Sequence, residues 1–203
     1  DGTLLSSGGA GKHAMYAAIA SEFGVSDLDD GIPFAGRTDR AIAHDLFLRH
    51  GLEDTEANWR RFVRAYLGHL PRSLVSRPGR VLPGVASLLE QLRFRGDIAI
   101  GLLTGNLRAG ATSKLRHYQI DCYFAFGGFG DRHFDRNDVA REALAAAIQH
   151  LPDSVELQRI WVIGDTPLDV RCARSIGVKI LAVCTGFHSR ADLIAEQPDI
   201  LLD

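Results

Sequence analysis

Arg159-Ile160-Trp161-Val162-Ile163-Gly164-Asp165-Thr166-Pro167-Leu168-Asp169 reads as a strand that runs directly into a helix. Residues 160–163 are apolar without alternation, the pattern of a strand buried on both faces. Pro167 near the start of the next segment and Gly177 at its end frame a helix over residues 167–176. Residues 178–184 form another apolar run, so the local order is strand, helix, strand. That order predicts a parallel pair joined by a helical crossover. Asp165 then stands at the carboxyl end of its strand, where open α/β sheets bind their ligands.

The same rhythm extends upstream to Arg80. Val85, Leu88, Leu89 and Leu92 make a helical stripe after Pro83-Gly84, and residues 98–103 form a short apolar run. A helix is expected around residues 111–115 and a strand over 123–126. Val139, Ala143, Leu144, Ala147 and Ile148 share one helix face. The fold class expected is α/β, a doubly wound parallel sheet covered on both faces. Residues 8–79 break the pattern and show helical stripes alone. Ala14, Met15, Ala18, Ile19 and Phe23 make the first, and Ile42 and Leu46 belong to the second. Trp59, Phe62, Val63, Tyr66, Leu67 and Leu70 make the third, at i, i+3, i+4, i+7, i+8 and i+11. An all-helical insert of this size predicts a cap over the strand ends. The expected division is a core of residues 1–7 and 80–203 and a cap of 8–79, hinged near residues 6–9 and 78–79.

Composition removes several classes. Apolar residues at 46% and charged residues at 24% suit a folded domain and not a disordered one. A formal charge of −2 argues against a nucleic-acid partner, which calls for a basic face. The tight cluster Arg60, Arg61 and Arg64 reads as a solvated helix face. No apolar run reaches the roughly 18 residues of a membrane span, so no membrane partner is expected. Cys122, Cys172 and Cys184 are odd in number and lack CxxC spacing, which points to a reducing compartment and a cytoplasmic location. The chain does not start with Met, so a targeting peptide stays open. None of the eight histidines pairs at metal-ligand spacing.

Three loops carry the chemistry. Asp1-Gly2-Thr3 leads into a Ser/Gly-rich turn, Thr104-Gly105-Asn106 follows the run 98–103, and Asp165 to Asp169 follows 160–163. Strand ends bearing carboxylates and a hydroxyl suggest metal-assisted phosphoryl transfer. A phosphate dianion is repelled by carboxylates, so such a site needs a cation. Asp165 suits Mg²⁺, which takes one or two carboxylates plus water and substrate oxygens. Thr104 offers a hydroxyl, and Gly105 and Asn106 the neighbouring N–H groups, to a phosphoryl oxygen. Arg136, placed by spacing ahead of the alternatives Arg132 and Arg141, supplies a fixed positive charge for the transferring group. Asp1 is the acid–base candidate, its pKa expected to rise beside a second carboxylate. Read singly, Thr104, Thr38 and Asp165 are also ordinary helix caps, and Asp169 an exposed helix residue. Arg37, at the start of a cap helix, is the candidate for a substrate-facing cation.

Together, Asp1-Gly2-Thr3, Thr104-Gly105-Asn106, Arg136 and Gly164-Asp165-Thr166-Pro167-Leu168-Asp169 resemble the motifs of the haloacid dehalogenase superfamily. The likeness is greatest to phosphoglycolate-phosphatase-like members with a helical cap, and Phe34-Ala35-Gly36-Arg37-Thr38-Asp39 fits that subgroup too. The resemblance implies hydrolysis of a small phosphorylated metabolite through an aspartyl-phosphate. Asp1 matches the acid–base aspartate, whose carbonyl joins Asp165 on Mg²⁺. Thr104 matches the phosphate-binding motif and Asp169 a partner of the metal or of the basic residue. An acid at position 1 favours phosphatases over dehalogenases. The attacking aspartate belongs two positions before Asp1, so trimmed ends are expected. Arg136 stands where most relatives carry Lys; it keeps the charge and adds a planar fork. Two other readings stay open, a sugar-phosphate mutase and a non-catalytic member that binds a ligand or a protein.

Overall fold

One glycine decides how closely the first parallel pair meets its helix. In a computed structural model of the chain, which describes residues 1–28, 31–151 and 155–203, the strand β3 (Gly101–Leu103) pairs in parallel with β4 (Phe126–Gly128). A Cβ on Gly128 would lie 2.4 Å from the carbonyl of Val139, so its absence lets the helix α6 (Arg136–His150) press directly on the strand. The sequence places a strand over 123–126 because Gly127 and Gly128 read as breakers. Instead residues Asp121–Tyr123 turn in a 3-10 helix, the Tyr123 hydroxyl donates to Glu90 at 2.8 Å, and pairing begins at Phe126.

The remaining parallel strands are β5 (Trp161–Gly164), β6 (Lys179–Val183) and β7 (Ile200–Leu202), hydrogen-bonded in that order. The crossovers are helical, as parallel pairs require: α5 (Arg108–His117) joins β3 to β4, α7 (Pro167–Ser175) joins β5 to β6, and α8 (Arg190–Ala195) joins β6 to β7. Val162, Ile180 and Ala182 are buried against Val170, Ala173 and Leu193 of the covering helices. Leu103 at the end of β3 packs against the same cluster, which brings the loop after β3 beside the loop after β5.

Between β1 (Leu5–Ser6) and β2 (Arg80–Val81) lie α1 (Ala10–Phe23), α2 (Asp39–Arg49) and α3 (Glu56–Ser76), with no strand among the described residues. Helix α3 starts where the Thr55 side chain accepts the Asn58 N–H at 3.2 Å. Its apolar stripe buries Phe62, Tyr66 and Leu70 completely. Phe62 stacks on Tyr66 at 6.1 Å between ring centres and meets Phe47 of α2 edge-on at 5.7 Å. Met15 and Ile19 of α1 close the same core. The helical block thus has its own apolar interior.

Its two connections to the sheet are tied to each other. β1 and β2 run antiparallel, with Leu5 opposite Val81 and Ser6 opposite Arg80. Beyond them Gly8 adopts φ +61°, and a Cβ there would sit 2.9 Å from the Pro78 carbonyl. Glycine is needed at that crossing both for the left-handed backbone and for the contact. Helix α4 (Val85–Arg93) then leads back to β3. No helix among the described residues is long and apolar enough to cross a membrane.

Candidate active site

Asp165 follows β5 directly and precedes the Thr166 cap of α7, and the turn that presents it is built by Asp169. The Asp169 carboxylate is buried, and its Oδ2 accepts from the N–H of Asp165 (3.1 Å), the N–H of Thr166 (3.0 Å) and the Thr166 hydroxyl (2.8 Å). Thr166 in turn caps α7 by accepting the Asp169 N–H at 3.2 Å. The other Asp169 oxygen accepts from Arg136 Nη2 at 2.6 Å. Asp169 is therefore a partner of the basic residue and a brace for the Asp165 loop, not an exposed helix residue. The cap of α7 belongs to Thr166 and not to Asp165.

Asp165 itself is 6% exposed, and its Oδ1 accepts the Thr3 hydroxyl at 2.7 Å. A Cβ on Gly2 or Gly186 would fall 2.0 or 1.9 Å from Asp165 Oδ2, so two bare backbones close in on that oxygen. Thr185 fixes one of them by donating to the Gly2 carbonyl at 2.5 Å. Burial pushes the Asp165 carboxyl above the ordinary range; the Thr3 bond opposes that and the charge of Asp169 adds to it. A buried carboxylate bonded to a neutral hydroxyl suits a hard cation. Among the described residues no three His, Cys, Asp or Glu side chains gather as a metal cage. Mg²⁺ does not ask for one, because it keeps waters and substrate oxygens. Asp165 is the residue here that fits it.

The Asp1 carboxylate lies in the same neighbourhood. Its Oδ1 accepts the Ser7 N–H, and its Oδ2 accepts from Lys114 Nζ at 3.0 Å. The charge in contact with Asp1 is thus a cation, where the sequence suggests a second carboxylate. Lys114 Nζ also donates to Asn106 Oδ1 at 2.8 Å, which links Asp1 to the loop after β3. In that loop the Thr104 hydroxyl accepts the Asn106 N–H at 3.2 Å. Gly105 is wedged between backbones, since a Cβ there would lie 2.1 Å from the Arg37 carbonyl.

Arg136 begins α6 and reaches across to the helical block. Its Nη1 donates to the Gly36 carbonyl at 3.0 Å while Nη2 holds Asp169. Arg141 instead pairs with Asp138 on the surface. The segment around residues 36–39 is seated on both halves of the site. Thr38 donates to the Phe134 carbonyl at 3.3 Å, and its hydroxyl caps α2 by accepting the Ala41 N–H at 3.1 Å. The Asp39 N–H donates to the Gly105 carbonyl at 2.7 Å. A cavity of about 360 Å³ opens here, lined by Gly36, Arg37, Thr38, Phe134, Arg136 and Leu168. Arg37 is on its wall, with the guanidinium held by Asp45 at 2.7 Å and the Pro33 carbonyl at 3.2 Å.

Asp1, Asp165, Asp169, Arg136, Thr104, Gly105 and Asn106 therefore come together from distant positions, and Arg37 borders the cavity beside them. Sequence reading misses Lys114, and quotes Thr3 and Asp39 within motifs without giving either a role. Asp39 is buried, with Oδ2 accepting the Leu107 N–H at 2.8 Å and Oδ1 the Asn106 Nδ2 at 3.1 Å. The available signal for Lys114 is its place beside Leu115 on the apolar stripe of α5, a position where a lysine is out of character.

The comparisons agree with this geometry. Residues 1–174 match the family model for the haloacid dehalogenase-like hydrolases. A phosphoglycolate phosphatase from Synechococcus elongatus is 31% identical over 124 residues, covering 61% of this chain and 55% of its own length. One from Agrobacterium fabrum is 26% identical over 209 aligned positions, covering all of this chain and 85% of its own. The chain thus matches about half the length of the first relative. Among solved structures, CbbY from Rhodobacter sphaeroides in complex with xylulose-(1,5)bisphosphate superposes with a TM-score of 0.78 at 20% identity, over 100% of this chain and 90% of that one. A hydrolase from Pseudomonas syringae does so with 0.71 at 20%, over 99% and 89%. Motifs in order, a helical block over the strand ends and a family match over most of its length place the chain in the haloacid dehalogenase-like hydrolase family.

Proposed function

We infer that the protein is a Mg²⁺-dependent phosphatase of a small phosphomonoester, with phosphoglycolate as the first candidate. The observation that carries this reading is the connection of the site residues into one network. Lys114 joins Asp1 to Asn106, Thr3 donates to Asp165, and Asp169 joins the Asp165 N–H to Arg136, the two sets meeting through Asp1-Gly2-Thr3. A set of ordinary caps and turns has no reason to converge in this way.

Within the network each residue has a task. Asp165 and the Asp1 carbonyl are assigned to hold Mg²⁺, which supplies the positive charge that offsets repulsion between phosphate and carboxylates. The Thr104 hydroxyl accepts from Asn106, so its own proton is free to point at a phosphoryl oxygen. Gly105 contributes backbone at the same place. Asn106 gives its side chain to Asp39 and Lys114, so its part is to shape the phosphate loop. Arg136, fixed by Asp169 and Gly36, holds positive charge against the transferring group. The reaction the family resemblance implies proceeds through an aspartyl-phosphate. Asp1 gives a proton to the departing alkoxide and then takes one from the attacking water.

The relatives named phosphoglycolate phosphatase support this substrate class. Arg37 on the cavity wall carries a charge that complements a substrate carboxylate. The free cysteines accord with a cytoplasmic setting. The test is phosphate release by the full-length natural protein from phosphoglycolate, sugar phosphates and nucleotides, ranked by kcat/KM. Phosphoglycolate is expected first. A sugar phosphate in first place would reassign the substrate. Transfer to a second sugar hydroxyl without release would make the enzyme a mutase, and binding without turnover would leave it a ligand-binding member.

A further inference from the structure

Lys114 belongs to no motif, and yet it is the residue that grips the proposed acid–base group. It is 5% exposed, although lysine normally keeps its ammonium in water. An ammonium is buried only where fixed partners replace that water. Here the partners are Asp1 Oδ2 at 3.0 Å and Asn106 Oδ1 at 2.8 Å.

Three features outside Lys114 serve to aim it. Gly11, inside α1, has no side chain where a Cβ would come within 3.2 Å of Lys114 Nζ, so the helix leaves a channel for the ammonium. Asn106 is oriented by Asp39, which accepts from its Nδ2 and so turns Oδ1 toward Lys114. Asp39 is itself buried and held by the Leu107 N–H, so its direction is set as well. Burial raises the Asp39 carboxyl and lowers the Lys114 ammonium, and each opposes that change in the other.

We propose that Lys114 is a positioning residue for Asp1, aimed from the helical cap by Asp39 through Asn106. The inference rests on the acid–base role given to Asp1 above. The Ser7 N–H fixes one Asp1 oxygen from the segment entering the cap, and Lys114 fixes the other from α5. Two donors from different elements hold the plane of the carboxyl group toward the phosphate loop. Asp39 is the first residue of α2, and its N–H is seated on the Gly105 carbonyl. When α2 leaves the loop, Asp39 leaves with it, Asn106 loses the acceptor that orients it, and Lys114 loses its second anchor. Seating of the cap and placement of the acid–base carboxyl are therefore one event.

The readout is leaving-group selectivity, which a merely structural ion pair does not alter. The parameter kcat/KM reports steps up to and including the first phosphoryl transfer. An alkyl ester such as phosphoglycolate needs its alkoxide protonated in that step, whereas p-nitrophenyl phosphate releases a stable anion. With the full-length protein, Lys114→Met should lower the alkyl-to-aryl ratio of kcat/KM by about 10²-fold, the scale of general-acid catalysis. Asp39→Asn, which keeps the size of the side chain, should lower the same ratio by about 10-fold, at the smaller end of what misaligned proton transfer forfeits. Equal losses on both esters, or an unchanged ratio, would overturn the proposal. Thermal melts establish that each variant is folded; if Lys114→Met is not, Asp39→Asn decides alone. A wild-type protein that hydrolyses neither ester removes the phosphatase reading first, and the inference falls with it.

Discussion

Arg136 shows how one residue holds several parts of the site in place. Its guanidinium is almost buried and divided between Asp169 and the Gly36 carbonyl. Replacing it with methionine leaves Asp169 buried without its cation, and loss of one member of a buried pair typically destabilises by about 3–5 kcal/mol. Urea denaturation of Arg136→Met should show that loss, and an unchanged midpoint would remove the structural part of its role. Asp1→Asn keeps the shape of the side chain but cannot donate or take the proton. Turnover of an alkyl phosphate should fall by about 10²-fold, while wild-type rates would take Asp1 out of the acid–base role. At this scale the sequence reveals residues that belong to ordered motifs, such as Asp165 and Thr104. It does not reveal Lys114, whose partner lies 113 positions away and whose meaning depends on burial. Asp39 is hidden for a similar reason, since the first residue of a helix is a common place for an aspartate.

Among the elements, the strands and helices of the sheet follow from unbroken apolar runs and their punctuation. The weak point is β4, where Gly127 and Gly128 read as breakers although Gly128 is needed for the approach of α6 and Gly127 for the close contact with Leu102 of β3. Close packing between distant elements is not written in local propensity. Gly105 is a second case of the same kind. A Cβ there would lie 2.1 Å from the Arg37 carbonyl, so Gly105→Ala must displace either the phosphate loop or the start of α2. Displacement near 1 Å typically reduces catalysis by about 10²-fold. Steady-state kinetics on Gly105→Ala should show that fall together with a near-native melting temperature. Full activity would mean that the loop and α2 need not touch during turnover.

For the whole molecule, the helical block and the α/β part meet through both apolar and polar contacts: Leu107 is buried in the helical core, Tyr118 packs against that core and the one under β1, and Asn106–Asp39 and Arg136–Gly36 bonds lie beside them. The same packing sorts the thiols. Burial pushes the Cys172 thiol up to about 11, so it stays protonated and shielded at neutral pH, whereas Cys122 is exposed. A thiol reagent at pH 7.5 should label Cys122 in the native protein and reach Cys172 only on unfolding. Rapid labelling of Cys172 would show that the sheet interior opens readily.

The central claim is that Asp165 and its network carry metal-assisted hydrolysis of a phosphomonoester. The most direct measurement is phosphate release from phosphoglycolate by the full-length protein, with added Mg²⁺, with EDTA, and for Asp165→Asn. The account predicts turnover that requires the metal and disappears in both the EDTA and the Asp165→Asn experiments. Turnover that survives chelation, or an Asp165→Asn protein with wild-type rates, would contradict it.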